Sequence, residues 1–243
     1  MSDALSSAGV VIPTFNEAPN IARLAEALRK LSPGLLIVIV DDGSPDGTGK
    51  VADEAAARLQ PMKVIHRSGK LGRGSACLAG FKEVLSDPGR RYVLEMDADF
   101  SHDPREMPGM VEALEAGKAD VMVGSRYEPE SRIVDWSLAR RVFSRFANFY
   151  ARTLLGIPIS DYTNGYRVYT RKAAEAIDFD KVVASGYIVL SETAYQLYLK
   201  GMRFMCVPTV FVNRRRGQSN LSIKEIWGAF SGVTRLRSRY GVR

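Results

Sequence analysis

Cysteine, histidine and tryptophan are scarce in this chain, with two of each among 243 residues. Cys77 and Cys206 sit in apolar contexts without C-x-x-C or Cys/His spacing, which argues against a disulfide framework or a zinc site and for two buried, inert thiols. His66 and His102 provide no obvious catalytic base. No run approaches the ~18 apolar residues of a spanning helix, and the opening MSDALSSAG carries an acid and no apolar signal core. The expectation is a cytoplasmic protein, at most peripheral at the cytoplasmic face of a membrane. The glycines of a dinucleotide fold are also missing: the first apolar run ends in PTFNE, so a pyrophosphate could not lie against a helix N-terminus in the usual way. GSPDGTGKV misses the P-loop pattern too, being one residue too long between glycines and carrying Val51 where a magnesium-binding Ser or Thr belongs. Repeats, low-complexity tracts and linkers are absent, so residues 1–243 are read as one domain.

What the chain does contain is a series of short, β-branched apolar runs: GVVIPT, LLIVIVDD, MKVIH, RYVLEMD and DVMVGS. Helical patterns separate them, including about 72–85 and 104–116, which predicts an open, doubly wound α/β sheet of mostly parallel strands. Beyond it the sequence predicts a long Arg- and aromatic-rich helix from Val134 to Leu155, an irregular PISDYTNGYRVYT, and a helix around 191–200. One strand, FMCVPTVFV, and a terminal helix from Ile223 follow.

In such sheets ligands sit beyond the carboxyl ends of the strands. Those ends carry Asn16 and Glu17, then Asp41 and Asp42, then Lys70 to Gly74, then Asp97 and Asp99. Asp103-Pro104-Arg105-Glu106 reads as a helix start, with Asp103 as its cap. Asp97 and Asp99 have no such duty. At i and i+2 of an extended segment they would point the same way and repel unless a cation lay beside them, and hard oxygens suit Mg2+ or Mn2+. Charge divides along the chain: residues 1–121 hold 14 Lys+Arg against 18 Asp+Glu, and 122–243 hold 20 against 9. The basic half points to an anionic partner: nucleic acid, lipid surface or phosphorylated substrate.

VVIPTFNEAPNI, IVIVDDGSPDGT, GKLGRGSACLAGF, EMDADFSHDP, VGSRY and FVNRRRGQSNLS, in order from Val10 to Ser222, resemble the dolichol-phosphate mannose synthase group of family 2 (GT-A) glycosyltransferases. The resemblance implies a GT-A, Rossmann-like open sheet flanked by helices, with a C-terminal amphipathic helical tail. It implies a nucleotide-sugar half of about 8–125 and an acceptor and membrane-facing half of about 126–243. Pro13, Phe15, Glu17, Asp41 and Asp42 would contact the nucleoside of GDP-mannose or another nucleotide sugar, with Lys70, Leu71 and Gly72 shaping the pocket and Arg214 in a loop near the diphosphate. Asp97 and Asp99 would be the D-x-D that holds Mg2+ or Mn2+; Ser101 stands where the family often has Gln.

On the acceptor side the resemblance implies that Arg126, Arg140 and Ser144 grip a polyprenyl (dolichyl-type) phosphate, Arg126 also serving catalysis. Arg140 and Ser144, four apart, share a helix face. Glu192 matches a family acid. A phosphomonoester, with a second pKa near ~6, is already largely anionic and needs no general base. The implied reaction inverts the sugar, giving a β-linked product. The implied partner is the membrane surface, reached either through the terminal helix or through a membrane-spanning subunit, and not nucleic acid. In the tail, Ile223, Ile226, Trp227, Phe230 and Val233 form a stripe near Lys224, Arg235, Arg237 and Arg239, read either as a core-docked helix or as a basic helix at the headgroup boundary. Two rival readings are a transferase to a hydroxyl acceptor, which needs a carboxylate base, and a non-catalytic membrane-surface protein.

Overall fold

The five apolar runs become β1 (Ala8–Thr14), β2 (Leu36–Asp41), β3 (Met62–His66), β4 (Tyr92–Glu95) and β5 (Val121–Ser125). Between them lie α1 (Ala18–Leu31), α2 (Thr48–Arg58), α3 (Arg73–Leu85) and α4 (Met107–Glu115). Then follow β6 (Arg132–Val134), α5 (Leu138–Leu155), β7 (Arg167–Thr170), α6 (Arg171–Glu175), α7 (Ile188–Leu199), β8 (Phe204–Pro208), β9 (Val210–Val212) and α8 (Ile223–Arg239). The structure, a computed structural model, describes residues 4–183, 186, 188–213 and 223–240, without the side chains of 223–230.

The main sheet runs β3-β2-β1-β4-β7-β5-β8, parallel except at β7. Helices cover both faces, which is why β2 is an unbroken apolar run buried throughout. Val10, Ile12, Ile37, Ile39 and Leu94 join Ile21, Leu24 and Leu28 of α1 in one core layer. Val11, Val38, Val40 and Val93 join Phe81 and Val84 of α3 in the other.

Three sequence expectations are corrected, and the second half of the tail follows one of its two readings. RVYT, read as part of an irregular stretch, is β7, central and antiparallel between β4 and β5. FMCVPTVFV is two strands in different sheets: β8 pairs with β5, and β9 pairs with β6. The break falls at Thr209, whose N–H donates to Ser125 O (3.1 Å) and whose hydroxyl binds Glu106. The long helix starts at Leu138, because Ser137 Oγ caps it by accepting from Arg140 N (3.3 Å) and Val134 belongs to β6. The second half of α8 is docked: Val233 and Leu236 are buried, and Tyr240 OH donates to Glu192 Oε1 (3.0 Å). The side chains of Ile223, Lys224, Ile226, Trp227 and Phe230 lie outside those described. No helix of the described residues is long and apolar enough to cross a membrane.

Candidate active site

The carboxyl ends of β1, β2 and β3 meet as three mutually braced loops. Asp41 and Asp42 are both buried. Asp41 Oδ2 accepts from Ser44 N (3.2 Å), and Ser44 Oγ in turn accepts from Asn16 N (3.0 Å). Asp42 Oδ2 accepts from Gly72 N (2.7 Å) and Oδ1 pairs with Arg67. Glu17 N donates to Thr48 Oγ1 (2.8 Å), and its Oε2 accepts from Asn20 Nδ2 (2.8 Å). Lys70 Nζ lies 4.3 Å from the centroid of the Phe15 ring, a cation–π contact between the first and third loops. Pro13 sits on β1 beside Val40, and Leu71 is exposed. The structure thus brings together Pro13, Phe15, Glu17, Asp41, Asp42, Lys70, Leu71 and Gly72, and adds Arg67, which sequence reasoning missed. Arg214 lies outside the described residues.

Asp97 and Asp99 do not lie on an extended segment, as the sequence led us to expect. Strand β4 ends at Glu95, and residues 98–99 form a turn. Phe100 then takes φ 59°, while Ser101 N donates to Asp99 Oδ1 (3.0 Å). Asn16 (φ 61°) and Asp135 (φ 60°) are the other non-glycine residues with positive φ among those described, but Asn and Asp adopt that region readily, so Phe100 is the strained one. The cation that the repulsion argument required beside Asp97 is Arg73, whose Nε donates to Oδ1 (2.8 Å). Burial works against the Arg73 charge, but the carboxylates of Asp97 and Glu95 beside it hold the guanidinium well above its usual pKa. Burial pushes the Cys77 thiol well up, so it stays neutral as expected.

Among the described residues no group of three or more His, Cys, Asp or Glu is placed to hold a metal ion. Asp97 and Asp99 are two half-buried carboxylates just past the end of β4. That donor set fits a Mg2+ or Mn2+ ion whose other positions go to water and substrate phosphate. Ser101 is buried beside them, with its carbonyl accepting from Val212 N (3.2 Å).

Arg126 has an internal partner. Its Nε and Nη2 donate to the two oxygens of Asp161 (2.7 and 2.8 Å), and Nη2 also reaches Thr163 Oγ1 (2.6 Å). Both side chains are buried. Burial opposes ionisation of Asp161, yet the charge and hydrogen bonds of Arg126 outweigh it and hold the carboxyl below the ordinary range. The bidentate fork expected on a phosphate is therefore closed on Asp161. Next to it, Tyr127 OH donates to Ser144 Oγ (2.6 Å), and the guanidiniums of Arg126 and Arg140 stand 5.0 and 4.1 Å from the Trp136 ring centroid. Arg140 Nη1 also donates to Asn213 Oδ1 (3.1 Å). Arg126, Arg140 and Ser144 are thus gathered into one cluster.

His102 joins the two sides. Its Nδ1 accepts from Asp97 N (3.3 Å), which leaves Nε2–H to donate to Asn164 Oδ1 (2.8 Å). Asn164 N donates to Asp161 Oδ1 (3.1 Å). Fully buried and stacked on Tyr166, His102 is a structural hub rather than a base. Glu192 is also fully buried, accepting from Val183 N (3.1 Å) besides Tyr240.

A largely parallel sheet with acids at its carboxyl ends and an arginine-aromatic cluster beside them defines a GT-A type transferase fold. The chain belongs to glycosyl transferase family 2, which it matches over residues 9–178. It is 40% identical to the polyprenol monophosphomannose synthase of Mycolicibacterium smegmatis, over 96% of this chain and 86% of that one. It is 36% identical to the undecaprenyl-phosphate mannosyltransferase of Micrococcus luteus, over 96% and 98%. The protein is a glycosyltransferase related to these enzymes, a coarser placement than the dolichol-phosphate group. Its fold is shared with the crystal structure of glucosyl-3-phosphoglycerate synthase from Mycobacterium tuberculosis in complex with Mn2+, UDP and phosphoglyceric acid (TM-score 0.69, 19% identity, covering 99% of this chain and 82% of that one).

Proposed function

We propose that this enzyme transfers mannose from GDP-mannose to a polyprenyl phosphate, of which dolichyl phosphate is one form, at the cytoplasmic face of a membrane. The names of the two relatives support the sugar and the acceptor class. The observation that carries the reading is the two-faced helix α5. Arg140 and Ser144 turn inward to the cluster at Trp136 and Tyr127. On the opposite face Leu138, Val142, Phe146 and Phe149 are exposed by 77, 60, 56 and 69%, at i, i+4, i+8 and i+11. Arg141, Arg145 and Arg152 border that stripe. One element therefore offers cationic and hydroxyl groups to a phosphate and an apolar, basic-edged face to a lipid surface. A membrane-spanning partner subunit would use the same face.

The catalytic roles follow. When bound at Asp97 and Asp99, Mg2+ or Mn2+ neutralises charge on the leaving diphosphate. The loops holding Pro13, Phe15, Glu17, Asp41, Asp42, Lys70, Leu71 and Gly72, with Arg214, orient the nucleotide. Arg140, with Ser144 and Tyr127, holds the acceptor phosphate, and Arg126, closed on Asp161, positions Tyr127. The phosphate is already anionic, so orientation rather than a base supplies the attack, which inverts the anomeric carbon.

The test supplies GDP-mannose, UDP-glucose and other labelled nucleotide sugars with a short polyprenyl phosphate, and in parallel with phosphoglycerate. The expected result is label in an organic-soluble, mild-acid-labile product from GDP-mannose. A water-soluble product from phosphoglycerate alone would replace this reading.

A further inference from the structure

We propose that Arg73 is a positioning residue for the D-x-D, fixing the carboxylate of Asp97; this rests on the reading of Asp97 as a metal ligand. Arg73 opens α3 directly after Gly72, whose N–H is held by Asp42 (2.7 Å), so its place is set by the nucleoside-side loops. From there the three arms of the guanidinium diverge. Nε meets Asp97 Oδ1 at 2.8 Å, Nη1 meets Glu95 Oε2 at 3.3 Å, and Nη2 meets Gly165 O at 3.3 Å. Glu95 is itself fixed from its other oxygen, where Tyr169 OH donates at 2.7 Å. A planar fork braced at three points holds a carboxylate in one orientation, as a flexible ammonium cannot.

One further observation points the same way. Gly165 has no conformational need to be glycine, since its φ is not among the positive ones. A Cβ there would fall 1.9 Å from Arg73 Nη2, so the residue is small to make room for the guanidinium.

The test compares wild type with Arg73→Met, Arg73→Lys and Gly165→Ala. Mn2+ dissociation is read by electron paramagnetic resonance in the presence of GDP or UDP, alongside thermal melting and turnover against Mn2+ concentration. Arg73→Met is expected to weaken Mn2+ binding by roughly 10- to 100-fold, the usual effect of losing a partner that orients a ligand. Arg73→Lys should fall between that variant and wild type. Gly165→Ala should weaken binding with every charged group retained, because only the mobile end of one side chain must shift. In each, saturating Mn2+ should restore turnover. Unchanged Mn2+ dissociation in Arg73→Met, or in Gly165→Ala should Arg73→Met not fold, overturns the inference alone, even if melting temperatures drop. Wild-type protein that takes up no Mn2+ with either diphosphate overturns the ligand reading and the inference with it.

Discussion

Replacing Asp161 with Ala should be among the most damaging single substitutions in this protein, and the structure sets the scale. The carboxylate is fully buried and accepts from Arg126 Nε, Nη2 and N (2.7, 2.8 and 3.2 Å), Thr163 N (3.1 Å) and Asn164 N (3.1 Å). Its loss strands a buried guanidinium and three backbone donors at once. Breaking a buried pair costs about 3–5 kcal/mol, and the unsatisfied donors place this case at the upper end. Urea denaturation at neutral pH measures it. Arg126→Met combined with Asp161→Leu should recover part of that loss, because an apolar pair leaves no uncompensated charge; the backbone donors remain unmet, so recovery stays incomplete. The pH dependence has a definite sign. The folded pKa of Asp161 lies below its ordinary 3.8, so its contribution is fully present above that value and is lost as pH falls through the folded pKa. The stability gap between wild type and Asp161→Asn should therefore stay constant near neutrality and narrow only in acid below 3.8. A cost under about 1 kcal/mol, the value of an exposed pair, would refute the reasoning.

Asp99→Ala should abolish turnover and metal-dependent donor binding; full activity at saturating Mg2+ would remove Asp99 from the metal site. Asp103→Ala should cost about 1 kcal/mol and leave chemistry intact, since its Oδ1 accepts from Arg105 N at 3.0 Å as a cap; lost activity in a folded variant would contradict that. Arg140→Ala should raise the KM for lipid acceptor far more than that for nucleotide sugar, and equal changes in initial-rate measurements would place Arg140 at the donor. Phe146→Ser with Phe149→Ser should abolish co-sedimentation with anionic vesicles at unchanged melting temperature, and wild-type binding should weaken with salt as screening shortens to about 10 Å at 0.1 M. Undiminished binding would clear α5 of membrane contact. Deleting 235–243, by contrast, removes buried Leu236 and the Tyr240 bond to Glu192, so loss of stability is the expected result.

The sequence was legible where structure depends on near neighbours. Runs such as IVIVD state their own burial, and the acids at their ends mark the loops of the site. RVYT was not legible, because four residues carry too short a pattern and their strand identity comes from β4 and β5, with Leu94 and Met122 both registered on Val168. Arg126 looked available to a ligand because its partner lies 35 residues away. A usable signal was passed over at Glu95. An acid closing the buried strand YVLE requires a nearby cation, and the arginine of GRG that opens α3 is that cation.

The irregular segment DYTNGY explains why the two halves of the site cannot be treated separately. Asp161 holds Arg126. Asn164 receives His102, which in turn accepts from the backbone of Asp97, and its Nδ2 donates to Gly124 O (2.6 Å) at the end of β5. Gly165 makes room for Arg73, and Tyr166 stacks on His102 while its OH donates to Asp103 O (2.7 Å). Side chains that bind backbone this densely favour turns over helix or strand, which accounts for the lack of regular structure. The consequence is mechanical. This six-residue irregular segment braces Asp97 from one side, through His102, and Arg126 from the other, so a shift in its backbone moves both together.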